Sequence, residues 1–314
     1  MTILEEIINK YNYTLQESDN IIINEITDLF ETNIINEKLL DNLNYVCWVG
    51  NYHRYKTKDY DEMKKYYLMA IEKGNPVAMN NLGHYYQYIT KDYDEMKKYY
   101  LMAIKRGNSG AMNNMGYYHN YITKDYDEMK KYYLMAIERG NLIAMYNMGY
   151  YHNYITKNYD EMKKYYLMGI EKEDIPSINN MGYYHYNITK DYDEMTKYYL
   201  MAIEKGSSNA MNIMGYYHYN ITKNYDAMTK YYLMAIEKES SSAMNNMGYY
   251  HYNITKDYDK MMGYYLMAIE KKNYDAMYNL GHYYDVVTNE IDLRNKYYVM
   301  ACKTDLSDMQ IINL

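Results

Sequence analysis

The chain has 314 residues and a formal charge of −7, with 51 Tyr and 29 Met against one Phe, one Trp, two Pro and two Cys. Nine acids and two lysines fall in residues 1–44, so that segment carries the whole excess and the remaining 270 residues balance 32 acids with 32 bases. Interleaved charge excludes the clustered cations that phosphate neutralisation needs, and no apolar run approaches the roughly 20 residues that span a bilayer, so neither nucleic acid nor membrane is expected as a partner. Two lone cysteines, Cys47 and Cys302, at opposite ends make no disulfide framework, and the acidic opening "MTILEEIINKYNY" is not a secretory signal, so a soluble intracellular protein is expected.

In chain order, Thr2 with Glu5 forms a capping box that starts one helix, and "DNIIINEITDLF" and "NIINEKLLDNL" supply two more, with a short strand at the triple Ile as the alternative. Residues 1–44 are expected to cap the array that follows, their acidity allowing a second role as a docking arm for a basic partner. From residue 45 the chain repeats with a step of 33: Ala78, Ala111, Ala144, Ser177, Ala210, Ala243 and Ala276 hold one place, and Tyr45 holds it one step earlier. The stretch "KDYDEMKKYYLMAI" recurs unchanged at 58–71, 91–104 and 124–137. Eight units are expected, 45–77, 78–110, 111–143, 144–176, 177–209, 210–242, 243–275 and 276–308, with 309–314 as the C-terminal end. A fixed period of this length signals a solenoid.

Each unit reads as two helices. In "AMNNLGHYYQYIT" Ala78, Leu82 and Tyr86, with Met79 and Gly83 beside them, form one stripe at the 3.6-residue period, and Asn75 followed by Pro76 supplies its start. This is helix A. Helix B opens with Asp92 and Glu95, a capping box built on Asp, and carries the stripe Tyr93, Met96, Tyr100, Ala103 and Ile104, with Asp94 and Lys98 as an i, i+4 pair. Gly107 ends it in a left-handed conformation; Glu173, Glu239 and Lys272 take that place elsewhere, where looser or different caps are expected. A hairpin of 33 residues cannot hide its own apolar stripes, so neighbouring hairpins must cover them. A stack one hairpin thick leaves most large side chains near water, which favours Tyr over Phe.

The unit resembles the Sel-1-like repeat through Ala78, Leu82, Gly83 and Tyr86 in helix A and Met96, Tyr99, Tyr100, Ala103, Gly107 and Asn108 in helix B. It departs from that pattern in its shorter length, in lacking glycines in "YQYITKD" between the helices, and in placing His where helix A has Tyr in six units. The late Pro of tetratricopeptide repeats and the T-P-L-H of ankyrin are absent. The resemblance implies an all-α fold, a right-handed α/α superhelical solenoid, serving as an adaptor or scaffold whose helix A lines the concave surface.

Candidate chemistry is sparse. His53, His119, His152, His185, His218 and His251 recur once per unit on the buried stripe, and helices at least roughly 8–10 Å apart cannot bring a column of them onto one metal, so they read as core or rim side chains. His84 and His282 fall on the other face and are expected to be exposed. Cys47 and Cys302 sit at apolar helical positions and read as buried structural thiols. No catalytic residue, metal site or cofactor is predicted. The second, sixth and ninth residues after the Ala place share the opposite side of helix A. They give Asn113, Tyr117 and Asn120; Tyr146, Tyr150 and Asn153; Asn179, Tyr183 and Tyr186; Asn212, Tyr216 and Tyr219; and Asn245, Tyr249 and Tyr252. The corresponding sets at the ends are Asn80, His84, Gln87 and Tyr278, His282, Asp285. Rigid Tyr contact area with adaptable Asn hydrogen bonds is a binding composition, so the expected function is a non-catalytic scaffold holding a protein or peptide partner. Amplified repeats with little specific binding, or a regulator or hydrolase, are the alternatives.

Overall fold

A computed structural model describes residues 22–312, with side chains described through residue 302. The capping box expected at Thr2 and Glu5 lies outside the described residues. The chain divides into two compact units, Met1–Tyr165 and Tyr166–Leu314, and among the described residues each is built of α-helices and short 3₁₀ or π turns without strands. The fold is an all-α solenoid of paired helices.

In "DNIIINEITDLF" the described residues form a helix, Ile23–Thr32, with Ile22 as its N-cap, because Ile26, Leu29 and Phe30 fall on one face and are fully buried. Phe30 meets Trp48 and Tyr52 edge to face, with ring centroids 6.3 and 5.5 Å apart. The helix expected in "NIINEKLLDNL" is reduced to a 3₁₀ turn, Glu37–Leu39. Its asparagines end and start helices rather than continue them. Asn33 takes φ 62° as a left-handed C-cap, the Asn36 side chain accepts the Lys38 N–H, and Asn42 caps the helix Leu43–Tyr52.

The unit 78–110 shows the repeat. Asn75 accepts from the N–H groups of Val77 and Ala78, Pro76 occupies the first turn, and helix A runs Pro76–Tyr85. It then widens into a π turn, Tyr86–Thr90, that ends on Lys91 at φ 57°. Helix B runs Tyr93–Lys105 from the cap Asp92, which accepts from Asp94 and Glu95 N–H. The capping box is not closed by Glu95: Thr90 Oγ1 receives the Asp92 N–H, and Glu95 binds Lys98 at 2.9 Å. Asp94 accordingly pairs with Lys97 at 2.9 Å rather than with Lys98. The left-handed lysine closes the turn where the sequence offers no glycine, and it recurs at Lys58, Lys124, Lys157, Lys190, Lys223 and Lys256.

Helices A and B touch closely where Gly83 lies against Tyr100: a Cβ on that glycine would stand 2.6 Å from the ring. The same contact joins Gly50 to Tyr67, Gly116 to Tyr133, Gly182 to Tyr199, Gly215 to Tyr232 and Gly248 to Tyr265. Those tyrosines are fully buried. These rings are exceptions to the expectation that most large side chains end near water, because each occupies a slot that glycine opens in helix A. In the first two of these contacts the hydroxyl is satisfied inside: Tyr67 donates to Asn51 Oδ1 and Tyr100 to Gln87 Oε1, each at 2.7 Å. Burial pushes both phenols well above their ordinary pKa.

Neighbouring hairpins meet through paired like groups. Tyr93 packs on Tyr118 at 5.3 Å, and Asn114 donates to Asn80 at 3.0 Å. Tyr126 with Tyr151 and Asn147 with Asn113 repeat the pattern in the first unit. In the second, Tyr192 with Tyr217, Tyr225 with Tyr250, and Asn246 with Asn212 do the same.

Helix B ends alike with or without glycine. Gly107 has φ 80°, and Glu173, Glu239 and Lys272 have φ 64°, 59° and 59°. Ser240 N–H reaches Ala235 O at 3.0 Å as Asn108 N–H reaches Ala103 O at 3.1 Å, so these ends are neither looser nor differently capped. The left-handed conformation strains any side chain, and Lys272→Gly is expected to gain about 1 kcal/mol in urea unfolding. Glu239→Gly should gain less, because it also removes the 2.8 Å ion pair with Lys271. A Lys272→Gly protein no more stable than the parent would contradict the strain.

Candidate functional site

The recurring histidines stand at the start of the π turns at the A-to-B corner, buried at His251 and half-buried elsewhere, and each lies flat on the first tyrosine of the "YY" pair in helix B. His53 stacks on Tyr66 at 5.4 Å and 5°, His119 on Tyr132 at 5.6 Å and 3°, and His218 on Tyr231 at 5.6 Å and 3°. Where histidine is missing, Tyr86 stacks on Tyr99 at 5.6 Å and Tyr284 on Tyr297 at 5.7 Å. A lysine covers the far side of the tyrosine, Lys98 over Tyr99 at 4.9 Å and Lys131 over Tyr132 at 5.3 Å. Histidine Nδ1 lies 3.0 Å from Thr123 Oγ1 in the His119 turn, and burial lowers the pKa of His53, His119, His152, His218 and His251. The column is therefore a structural sandwich of flat rings. No three His, Cys, Asp or Glu side chains converge as a metal site among the described residues.

Two expectations for single residues are corrected. His84 and His282 are half-buried rather than exposed. His84 is held between Tyr88, 4.3 Å away, and Arg54, whose Nη2 is 2.5 Å from its Nδ1; burial, then the guanidinium charge, depress its pKa to about 3. Cys47 is buried, but Cys302 is exposed on the helix Ile291–Ile312.

On the opposite side of helix A, the sixth-place tyrosines separate into two settings. Tyr183, Tyr216 and Tyr249 are 40, 47 and 45% exposed, whereas Tyr117 and Tyr150 are half-buried beneath Tyr121 and Tyr154, whose rings lie 4.4 Å from them. The second-place Asn212 and Asn245 are half-buried and accept from Asn246 and Asn279, each at 3.0 Å, and Asn179 exchanges hydrogen bonds with Ser207. Tyr146 is half-buried near Tyr150, at 6.2 Å. In the ninth place Tyr186, Tyr219 and Tyr252 are half-buried beneath Lys190, Lys223 and Lys256 at 5.5–5.7 Å. Asn113, Asn120 and Asn153 are buried, contrary to the expectation of an open ladder. Asn113 is spent on the joint with Asn147, and Asn120 lies by the Tyr133 hydroxyl.

Sequence reasoning missed Tyr88, Tyr121 and Tyr154, which are 42, 44 and 38% exposed one place further on. Their i, i+4 relation to His84, Tyr117 and Tyr150 was the available signal. Asn187, Asn220 and Asn253, which begin N-x-T sequons, lie within the π turns and donate to the carbonyls of Tyr183, Tyr216 and Tyr249 at 3.0–3.3 Å. No helix among the described residues is long and apolar enough to cross a membrane.

The arrangement is that of Sel1-like repeats. A protective antigen of uropathogenic Escherichia coli strains with an SLR fold aligns over 97% of this chain and 72% of its own, at TM-score 0.57 and 18% identity. A Sel1 repeat protein from Oxalobacter formigenes aligns over 71% of this chain and 99% of its own, at TM-score 0.56 and 24% identity. No protein-family description matches the sequence, and no curated protein matches it.

Proposed function

We propose that the chain is a non-catalytic adaptor that holds a protein or peptide partner on the helix A side. The observation that carries this is the repetition of exposed rings at equivalent sites, Tyr183, Tyr216 and Tyr249, with half-buried Tyr186, Tyr219 and Tyr252 beside them. A tyrosine fixed on a helix offers large contact area at little entropic cost, and its hydroxyl adds a hydrogen bond. The half-buried Asn179, Asn212 and Asn245 are held by neighbouring side chains, which fixes the floor between the rings. Tyr117, Tyr146 and Tyr150 supply the corresponding surface in the first unit together with Tyr121 and Tyr154, while the buried Asn113, Asn120 and Asn153 serve its support.

Replacing Tyr183, Tyr216 and Tyr249 together with alanine should reduce partner retention in affinity capture by tenfold or more while leaving the helical circular dichroism unchanged. Retention equal to that of the parent protein would reject this face.

A further inference from the structure

Arg54 breaks the neutral chemistry of the ninth-place column. Gln87, Asn120 and Asn153 hold the equivalent place in the next three repeats and are uncharged. Arg54 is only 8% exposed, and no carboxylate among the described residues lies within ion-pairing distance of it. Its hydrogen bonds go to the Asn81 carbonyl, at 3.4 Å, and to His84 Nδ1, at 2.5 Å. Its charge also bears on the Tyr67 phenol, and its guanidinium carbon sits 4.9 Å from the Tyr55 ring centroid. None of these groups is an anion. The core does not require the charge either, because Asn51 already accepts the Tyr67 hydroxyl at 2.7 Å, the service Gln87 gives to Tyr100. A desolvated cation without a counter-charge is costly, and the fork of the guanidinium matches a planar oxyanion.

We propose that Arg54 receives one carboxylate group of the partner, fixing the partner's register at the N-terminal end of the helix A face. The positive charge is single, so a carboxylate neutralises it, whereas a phosphate dianion would leave net negative charge in the same desolvated place. His84 presents a nitrogen lone pair rather than a second cation, which limits the site to that single charge. Tyr88, exposed beside His84, forms its rim. The assignment rests on the adaptor reading for the class of partner, since a carboxylate on a peptide has two sources, an Asp or Glu side chain and the chain terminus.

Sodium acetate titrated into the full-length protein, against sodium chloride at matched ionic strength and pH 7.5, tests the site without a partner. The Arg54 guanidinium and His84 ring resonances should shift saturably with acetate alone, and the His84 response should vanish in Arg54→Gln but persist in part in Arg54→Lys. Equal responses to both salts, or none, would overturn the proposal. Two pools of random nine-residue peptides then separate the sources, one with a central Glu and an amidated end, the other without acidic side chains and with a free C-terminus. The pool retained at least tenfold better by the parent than by Arg54→Gln identifies the source. Equal retention of both pools by parent and variant would overturn the partner assignment. Saturable acetate binding with neither pool retained by the parent would keep the anion site and sink the adaptor reading instead.

Discussion

Gly248→Ala is expected to destabilise the protein by about 1–3 kcal/mol, whereas Gly263→Ala, fifteen residues along the same hairpin, is expected to stabilise it by up to about 1 kcal/mol. Both glycines are helical, and alanine is the better helix former at each. They differ in what a methyl group would meet. At Gly248 it would stand 2.6 Å from two atoms of the Tyr265 ring, which is buried and has no room to withdraw; at Gly263 nothing lies within 4 Å. Urea unfolding followed by circular dichroism reads both, and a Gly248→Ala midpoint at or above that of the parent would show that the slot is not a required contact. The same loss should follow at Gly116 and Gly215, whose added Cβ atoms would stand 2.5 Å from Tyr133 and Tyr232.

Acid should weaken the fold well above the range in which carboxylates titrate. His53, His119, His152, His218 and His251 have folded pKa values lowered chiefly by burial, and that of His84 falls to about 3. The unfolded chain, with histidine near 6.5, therefore binds protons before the folded chain does, and folding is disfavoured as they bind. Stability from this source is complete above about pH 6.5 and declines as pH falls through the folded values, with the His84 share still being lost near pH 3. Nearby acids such as Glu62 for His53 and Asp125 and Glu128 for His119 act the other way and narrow the window. Unfolding should take up protons as pH falls below about 6.5, and replacing His119, His152 and His218 together with tyrosine, the residue found at Tyr86 and Tyr284, should flatten the dependence in proportion. A urea midpoint constant from pH 7.5 to 5 would contradict this account.

Much of the fold was legible in the chain. Asn75 with Pro76, Asp92, and the stripe through Ala78, Leu82, Met96, Tyr100 and Ala103 announce two capped amphipathic helices, because caps and a 3.6-residue period are local properties. The candidate face was read less well: Asn113 is taken up by the joint with Asn147, and beyond the end of helix A the reason is geometric. A helical wheel drawn straight through "HNYIT" assumes that helix A continues, whereas the chain widens there into a π turn, which moves every later side chain around the axis. Asn120 thereby turns inward towards Tyr133 and Tyr121 outward, the reverse of the ladder the wheel gives. The left-handed lysines were hidden too, since nothing in lysine itself favours positive φ. Arg54 was invisible because its meaning depends on a repeat 30 residues away, through His84.

The joints between hairpins bring tyrosine against tyrosine and asparagine against asparagine, as Tyr93 with Tyr118 and Asn114 with Asn80 illustrate. A junction built from matching halves is indifferent to the copy number on either side. Gain or loss of a whole 33-residue block leaves a seam with the same chemistry, so within each unit length is a variable that duplication or deletion can tune without new side chains having to be found at the splice.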